Sequence, residues 1–289
     1  MFQPYNEENE LLNTQYLQHN YIIREHKEQK NGKVYVYFSG NGLYQVDNED
    51  SFRSLILEKD RYEWLHYSAK KIPEKEIYIR DIWLSWYCKG INLELNSIDK
   101  VAAWLRKECA GYKVTLIGNS AGGYMAVNCA LRMPGLVDRV FSLCGQYSLI
   151  NHNDHVRLNP LLARYYNEED FECYKKLNQI SNIYYFFSGG VDHDLVQYEF
   201  VKNINCVRCF RFASKRHGTT AHNFDYPELF SLSNEKLDLL YEKTKHTILT
   251  DDSFSVIWYG KTRLFFKKNM VKILGLKRVF TKIASVYKR

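Results

Sequence analysis

Nowhere in its 289 residues does the chain run to eighteen uncharged apolar residues, which excludes a membrane-spanning helix. Its first twenty residues, MFQPYNEENELLNTQYLQHN, lack the basic segment and unbroken apolar stretch of a secretory signal, so the expected location is the cytosol. Disulfide staples are not expected either. Seven cysteines, an odd number scattered at 88, 109, 129, 144, 173, 206 and 209, fit buried free thiols in a reducing compartment. Cys206 and Cys209 form a CxxC with no second CxxC or histidine pair nearby, and the strand-like run around them points their side chains to opposite faces. No metal is therefore expected there. The chain has no internal repeat and no low-complexity tract. Acidic residues are missing from one region: between Lys261 and Arg289 there are ten Lys or Arg and no Asp or Glu. Taking that ten from the net +7 leaves −3 on the rest, so the basic character belongs to the C-terminal tail.

What is present is ample for a core: 45% hydrophobic residues, with 23 Tyr and 16 Phe. YIIREHKEQK (21–30) and KVYVYF (33–38) alternate as two strands joined at Asn31-Gly32, a hairpin signal. EIYIRDIW reads as a short strand. From Leu95, the residues Ile98, Val101, Ala102, Leu105 and Cys109 fall at helical spacing, with Asn96 or Ser97 as cap and Gly111 at the end. Strands follow at KVTLIG (113–118), RVFSLCG (139–145), IYYFFSGG (183–190) and CVRCFRFAS (206–214), with helices at AGGYMAVNCALRM and YPELFSLSNEKLDLLYEKTKH. Strands alternating with helices predict an α/β fold with a mainly parallel sheet flanked by helices. Residues 146–181 break the pattern and are expected to be a cap-like helical insertion over the strands' C-terminal ends. The predicted organisation is one domain over 1–250 and a basic extension over 251–289.

GNSAGG carries the chemistry. Ser120 lies in a GxSxG that follows a buried strand and opens a helix, the setting of a nucleophile elbow. Glycines at 118 and 122 suit a turn whose serine is held in a strained backbone conformation. A serine needs a base, and the base an acid. Asp192 and Asp194 follow the strand IYYFFSGG, while His217 and His222 follow CVRCFRFAS. His217 comes directly after its strand, and Gly218 lets the loop fold back.

GNSAGGY with SGGVDHD and SKRHG resembles the α/β-hydrolase fold over Tyr21 to His246, in chain order Ser, Asp, His. The resemblance implies Ser120 as nucleophile, His217 as base and Asp194 as acid, because DLVQ resembles the family's acid followed by an apolar pair; Asp192 and His222 are the alternates. It also implies an oxyanion hole made of the Ala121 N–H and one donor from the FSGNG loop, Asn41 with Gly40 as alternative. More narrowly, FSGNG, RDIWLSWYCKG, the elbow, DLVQ and SKRHG resemble hydrolase-like proteins of bacterial capsule and surface-polysaccharide gene sets, including O-acetyltransferases. That likeness implies acyl transfer from acetyl-CoA to a polysaccharide. Hydrolysis of a carbohydrate or small-molecule ester is the alternative. A non-catalytic partner in a membrane-associated secretion or polysaccharide-assembly complex is a third reading.

Other residues carry less. HNDH (152–155) fits polar lid residues better than a metal site. Trp83, Trp86 and Tyr87 fit either a sugar-stacking platform or the core, and Arg80 with Asp81 fits an ion pair. In the tail, Phe266, Met270, Ile273, Leu276, Phe280, Ile283 and Tyr287 recur at helical spacing among Lys267, Lys268, Lys272, Lys277, Arg278, Lys282 and Lys288. This fits a basic amphipathic helix lying on an anionic membrane surface at the inner leaflet, or binding an acidic polysaccharide; it equally fits a helix docked on the domain. Binding to anionic liposomes with and without residues 261–289 separates these. No module for nucleic acid accompanies the charge.

Overall fold

A computed structural model describes residues 6–67, 72–150, 160–165, 167–218 and 226–250. They form one seven-stranded sheet: β1 (Tyr21–Glu25), β2 (Lys33–Phe38), β3 (Lys75–Ile79), β4 (Lys113–Asn119), β5 (Val137–Leu143), β6 (Ile183–Ser188) and β7 (Val207–Phe212), in the order β1-β3-β2-β4-β5-β6-β7. Every pairing is parallel except β1 with β3. The continuous apolar runs of the central strands have this cause: both faces of a parallel sheet are covered, and all six residues of β6 are buried. The expected β1–β2 hairpin does not form. Residues 26–32 instead pass the start of β3, where the His26 N–H donates to Glu74 O (2.9 Å) and Asn31 Nδ2 to Ile72 O (3.0 Å). Gly32 still turns at φ +61°, but β3 takes the place between the two strands.

Alternation along each strand divides the core into two layers. After the short helices α1 (Glu10–Tyr16) and α2 (Glu49–Phe52) come α3 (Ile98–Glu108) and α4 (Ala121–Arg132), against which one face gathers Val34, Val36, Ile77, Ile79, Val114, Leu116 and Val140. The α3 start is fixed by Ser97, whose side chain accepts the Lys100 N–H. The opposite face is aromatic. Tyr37 stacks on Tyr78 at 4.8 Å, Phe186 on Phe210 at 4.5 Å, and Phe230 closes over Phe141 at 5.1 Å. Phe230 sits where the expected single closing helix breaks into two, Tyr226–Leu229 and Asn234–Thr244. Buried Arg139 donates to the carbonyls of Leu232 and Phe230, removing acceptors that a continuous helix would use.

The segment after β5 divides its work. Leu161, in the short helix Pro160–Arg164, packs with Trp83 and Leu84 just beyond the C-terminal end of β3. Residues 168–179 return along the α4 face, with Arg132 paired to Asp170 and Leu177 in the main core, and so form the crossover to β6. The described residues up to Ile248 belong to one compact unit. The basic tail, His222 and the HNDH run all lie outside the described residues. No helix among the described residues is long and apolar enough to cross a membrane.

Arg80 and Asp81 do not pair with each other. As neighbours on extended chain they point opposite ways. Arg80 reaches Asp60 at 2.9 Å and Asn20 at 3.2 Å, while Asp81 turns into the loop that follows β3. There its buried carboxylate accepts the N–H groups of Trp83 (2.9 Å), Ser85 (2.7 Å) and Tyr87 (2.8 Å) and the Ser85 hydroxyl (2.9 Å). Burial pushes the Asp81 carboxyl above its ordinary range and these donors pull it back. The loop needs this hold because Leu84, Trp86 and Tyr87 all adopt positive φ, at 50°, 54° and 63°. Trp83, Trp86 and Tyr87 are buried, so they belong to the core and offer no stacking platform. Asp81→Ala strands these donors and is expected to destabilise the fold by about 3–5 kcal/mol, read by urea denaturation; a loss under about 1 kcal/mol contradicts this role for Asp81.

Candidate active site

At the C-terminal edge of the sheet, β4 ends in a turn with almost no room. Ser120 has φ 52° and ψ −119°, a conformation that side chains disfavour. Its N–H donates to Leu143 O of β5 at 2.8 Å, and α4 starts at the next residue. A Cβ at Gly118 would stand 2.0 Å from Gly122 O, and one at Gly122 would stand 2.2 Å from Phe38 O. Glycine at both positions lets strand and helix meet at backbone contact. The serine hydroxyl is thereby lifted from the sheet at a helix N-terminus, whose partial positive charge favours a developing anion.

Two other strand ends bring a histidine and a carboxylate to that hydroxyl. Beyond β6, the helix Asp192–Val201 carries fully buried Asp194 in its first turn, while Asp192 is exposed. The Ser188 N–H donates to Asp194 Oδ2 at 3.3 Å. Beyond β7, the Ser188 hydroxyl donates to Arg216 O at 2.7 Å and the Gly190 N–H to Ser214 O at 3.0 Å, which fixes the loop leading to His217. His217 Nδ1 lies 2.7 Å from Asp194 Oδ1, and His217 Nε2 lies 2.8 Å from Ser120 Oγ. With the carboxylate ionised, the chemically consistent tautomer has Nδ1–H donating to Asp194, leaving Nε2 to accept the serine proton. Of the acid and base candidates among the described residues, this geometry brings Asp194 and His217 to the serine.

His193 stands against this pair. Its ring centroid is 4.6 Å from that of His217, and its Nε2 is 3.5 Å from Asp194 Oδ1. Cys144 also borders the acid. Among the described residues, the cluster with metal-ligand spacing is Cys144, Asp194 and His217, with ligand atoms within 4.8 Å of one another. Burial and then the Asp194 charge push the Cys144 thiol well up, so it is held as a neutral thiol rather than the thiolate a metal takes.

The loop after β2 supplies the opposite wall. Gly40 is displaced as an oxyanion donor, because its N–H already donates to Glu63 Oε2 at 2.6 Å. The backbone N–H groups of Asn41 and Ala121 donate to no other described residue, and the Asn41 side chain is tethered to Leu84 O at 3.2 Å. Glu63 is the residue of this site that the sequence left hidden. It lies in DRYEWLHY, a mixed stretch with neither helical nor strand periodicity, and its contacts with Gly40 and Asn119 are separated by 23 and 56 positions. Cavities of about 260 and 540 Å³ open at the other end of the sheet, beside Lys113 and Asp138, away from Ser120.

The backbone at Ser120 makes a prediction independent of catalysis. Ser120→Gly removes the steric cost of φ 52° and is expected to stabilise the protein by about 1 kcal/mol in urea denaturation. Unchanged or reduced stability contradicts stored strain at this turn.

No family model matches the chain, and no curated protein matches it. Solved structures with a similar fold include a lipase-esterase related protein from Clostridium acetobutylicum (16% identity, TM-score 0.41), covering 79% of this chain and 98% of that one. MenH from S. aureus is 11% identical with a TM-score of 0.44, over 78% of this chain and 99% of its own. MGS-MChE2, an alpha/beta hydrolase enzyme from the metagenome of sediments of the Mar Chica lagoon in Morocco, is 17% identical with a TM-score of 0.44, over 77% and 94%.

Proposed function

We propose that the protein is a serine-dependent acyl-ester enzyme in which Ser120 attacks the ester carbonyl, His217 moves the proton and Asp194 orients the imidazole. The observation that carries this reading is the unbroken chain from Asp194 through His217 to Ser120, at 2.7 and 2.8 Å. In the first half-reaction Nε2 of His217 takes the serine proton as the Ser120 oxygen bonds to the carbonyl carbon. The imidazolium formed is balanced by the buried Asp194 carboxylate. The Ala121 and Asn41 N–H groups are the donors assigned to the tetrahedral oxyanion. His217 then returns the proton to the leaving group, and an acyl-serine remains. In the second half-reaction His217 activates the acceptor that releases the acyl group.

Water as acceptor gives an esterase acting on a carbohydrate or small-molecule ester. A sugar hydroxyl gives an O-acetyltransferase using acetyl-CoA as donor and a capsular or surface polysaccharide as acceptor. The transferase version is supported only by the sequence resemblance in FSGNG, RDIWLSWYCKG, DLVQ and SKRHG. A non-catalytic role is disfavoured because a passive scaffold has no use for a strained serine hydrogen-bonded to a histidine–carboxylate pair.

Fluorophosphonate is expected to label wild-type protein at Ser120. Asp194→Asn is expected to slow the labelling on the order of 10³-fold or more, by removing the carboxylate that sets the tautomer. Folded wild-type protein that takes no label overturns the reading. Supplying acetyl-CoA with and without polysaccharide then separates the two acceptors: acetate released equally in both identifies hydrolysis.

A further inference from the structure

The donor loop after β2 is gripped along its length by residues 61–64. Arg61 Nη1 donates to Leu43 O at 2.8 Å, the Glu63 N–H to Ser39 Oγ at 3.2 Å, and Trp64 Nε1 to Phe38 O at 2.9 Å. In the middle of this strip the half-buried Glu63 carboxylate accepts from both sides of the site. Oε2 takes the Gly40 N–H at 2.6 Å, and Oε1 takes Asn119 Nδ2 at 2.9 Å. Gly40 precedes Asn41, the assigned oxyanion donor, and Asn119 precedes Ser120. These two segments are already in contact, since a Cβ on Gly40 would lie 2.7 Å from Asn119 O.

We propose that Glu63 is a positioning residue that sets the separation between the Asn41 N–H and the Ser120 hydroxyl by holding Gly40 and Asn119 on its two carboxylate oxygens. The inference rests on the reading of Ser120 as nucleophile. A carboxylate is suited to this place because it has acceptors alone, and both partners are donors. Burial pushes the Glu63 carboxyl up, while the Gly40 and Asn119 hydrogen bonds, Arg61 and His217 act against that shift. Donor and nucleophile must address one reacting carbonyl, so a small change in their spacing falls on the transition state more than on substrate binding.

The test exploits the direction of the two hydrogen bonds. Glu63→Gln replaces one acceptor by an NH2 group, so either a donor faces the Gly40 N–H or Asn119 Nδ2, or the Asn119 amide turns to offer Oδ1 and buries its Nδ2 where Oδ1 now has no hydrogen-bond partner. Asn119→Asp sets a second carboxylate against Glu63. Combining the two changes restores an acceptor for Gly40 and a donor for position 119, and keeps one negative charge in the cluster. Each single variant is expected to lower kcat for p-nitrophenyl acetate, and the rate of fluorophosphonate labelling, by about 10- to 100-fold with KM little changed. The double variant is expected to recover to within about threefold of wild type. Glu63→Gln with wild-type kcat overturns the proposal, and so does a folded double variant no faster than the slower single. If Glu63→Gln does not fold, Asn119→Asp alone decides, because wild-type kcat in that variant also overturns it. Ser120→Ala separates the two levels. Labelling of Ser120→Ala equal to wild type defeats the nucleophile reading itself, whereas Ser120-dependent labelling that Glu63→Gln leaves unchanged defeats only the role of Glu63.

Discussion

The backbone contact between the start of α4 and the ends of β2 and β4 governs the rest of the site. With Gly122 lying against Phe38 O and Gly118 against Gly122 O, the chain can turn from strand to helix in a single residue, and that residue takes φ 52°. Three consequences follow from one close approach. The hydroxyl at 120 points away from the sheet, the first free N–H of α4 lies beside it, and the loop after β2 is drawn alongside as the opposite wall. A bulkier helix–strand packing would separate these elements, and in the proposed reaction donor and nucleophile could then not act on one carbonyl.

Charges placed inside the fold are used to hold backbone in shapes it would not otherwise keep. Asp81 collects four donors and sustains a loop with three positive-φ residues, and Arg139 collects carbonyls where two helices part. Asp194 is anchored by the Ser188 N–H before it meets His217, and Glu63 joins Gly40 to Asn119. In each case the cost of desolvating a charge is offset by several hydrogen bonds to it. The two that border Ser120, Asp194 and Glu63, face it from opposite sides: one meets His217, the other joins the loop after β2 to the end of β4.

Much of this was legible in the residues, for reasons that also explain what was not. The strands at 113–119, 183–188 and 207–212 and the helix at 98–108 announce themselves because apolar continuity or 3.6-residue spacing is local information. The acid and histidine were narrowed to pairs because each follows a readable strand. The resemblance of DLVQ already favours Asp194 over Asp192, and the helix start at Asp192 gives the physical reason, since residues two apart on a helix do not share a face. The Asn31-Gly32 hairpin failed because the turn signal is local, whereas the choice of partner strand is made by β3, some forty residues on. Arg80 and Asp81 looked like partners because they are adjacent in sequence, and adjacency on a strand is what separates them. Glu63 left no trace, since its meaning lies wholly in what Gly40 and Asn119 bring to it.

The central claim is that the Asp194–His217–Ser120 chain makes Ser120 a nucleophile, and the acyl-serine is its most direct product. Wild-type protein mixed with p-nitrophenyl acetate, quenched in acid within the first turnover and digested for peptide mass spectrometry, is predicted to carry one acetyl group on Ser120, absent from His217→Ala. An acetyl group found elsewhere, or p-nitrophenol released with no acetyl-serine and at the same rate from Ser120→Ala, contradicts the account.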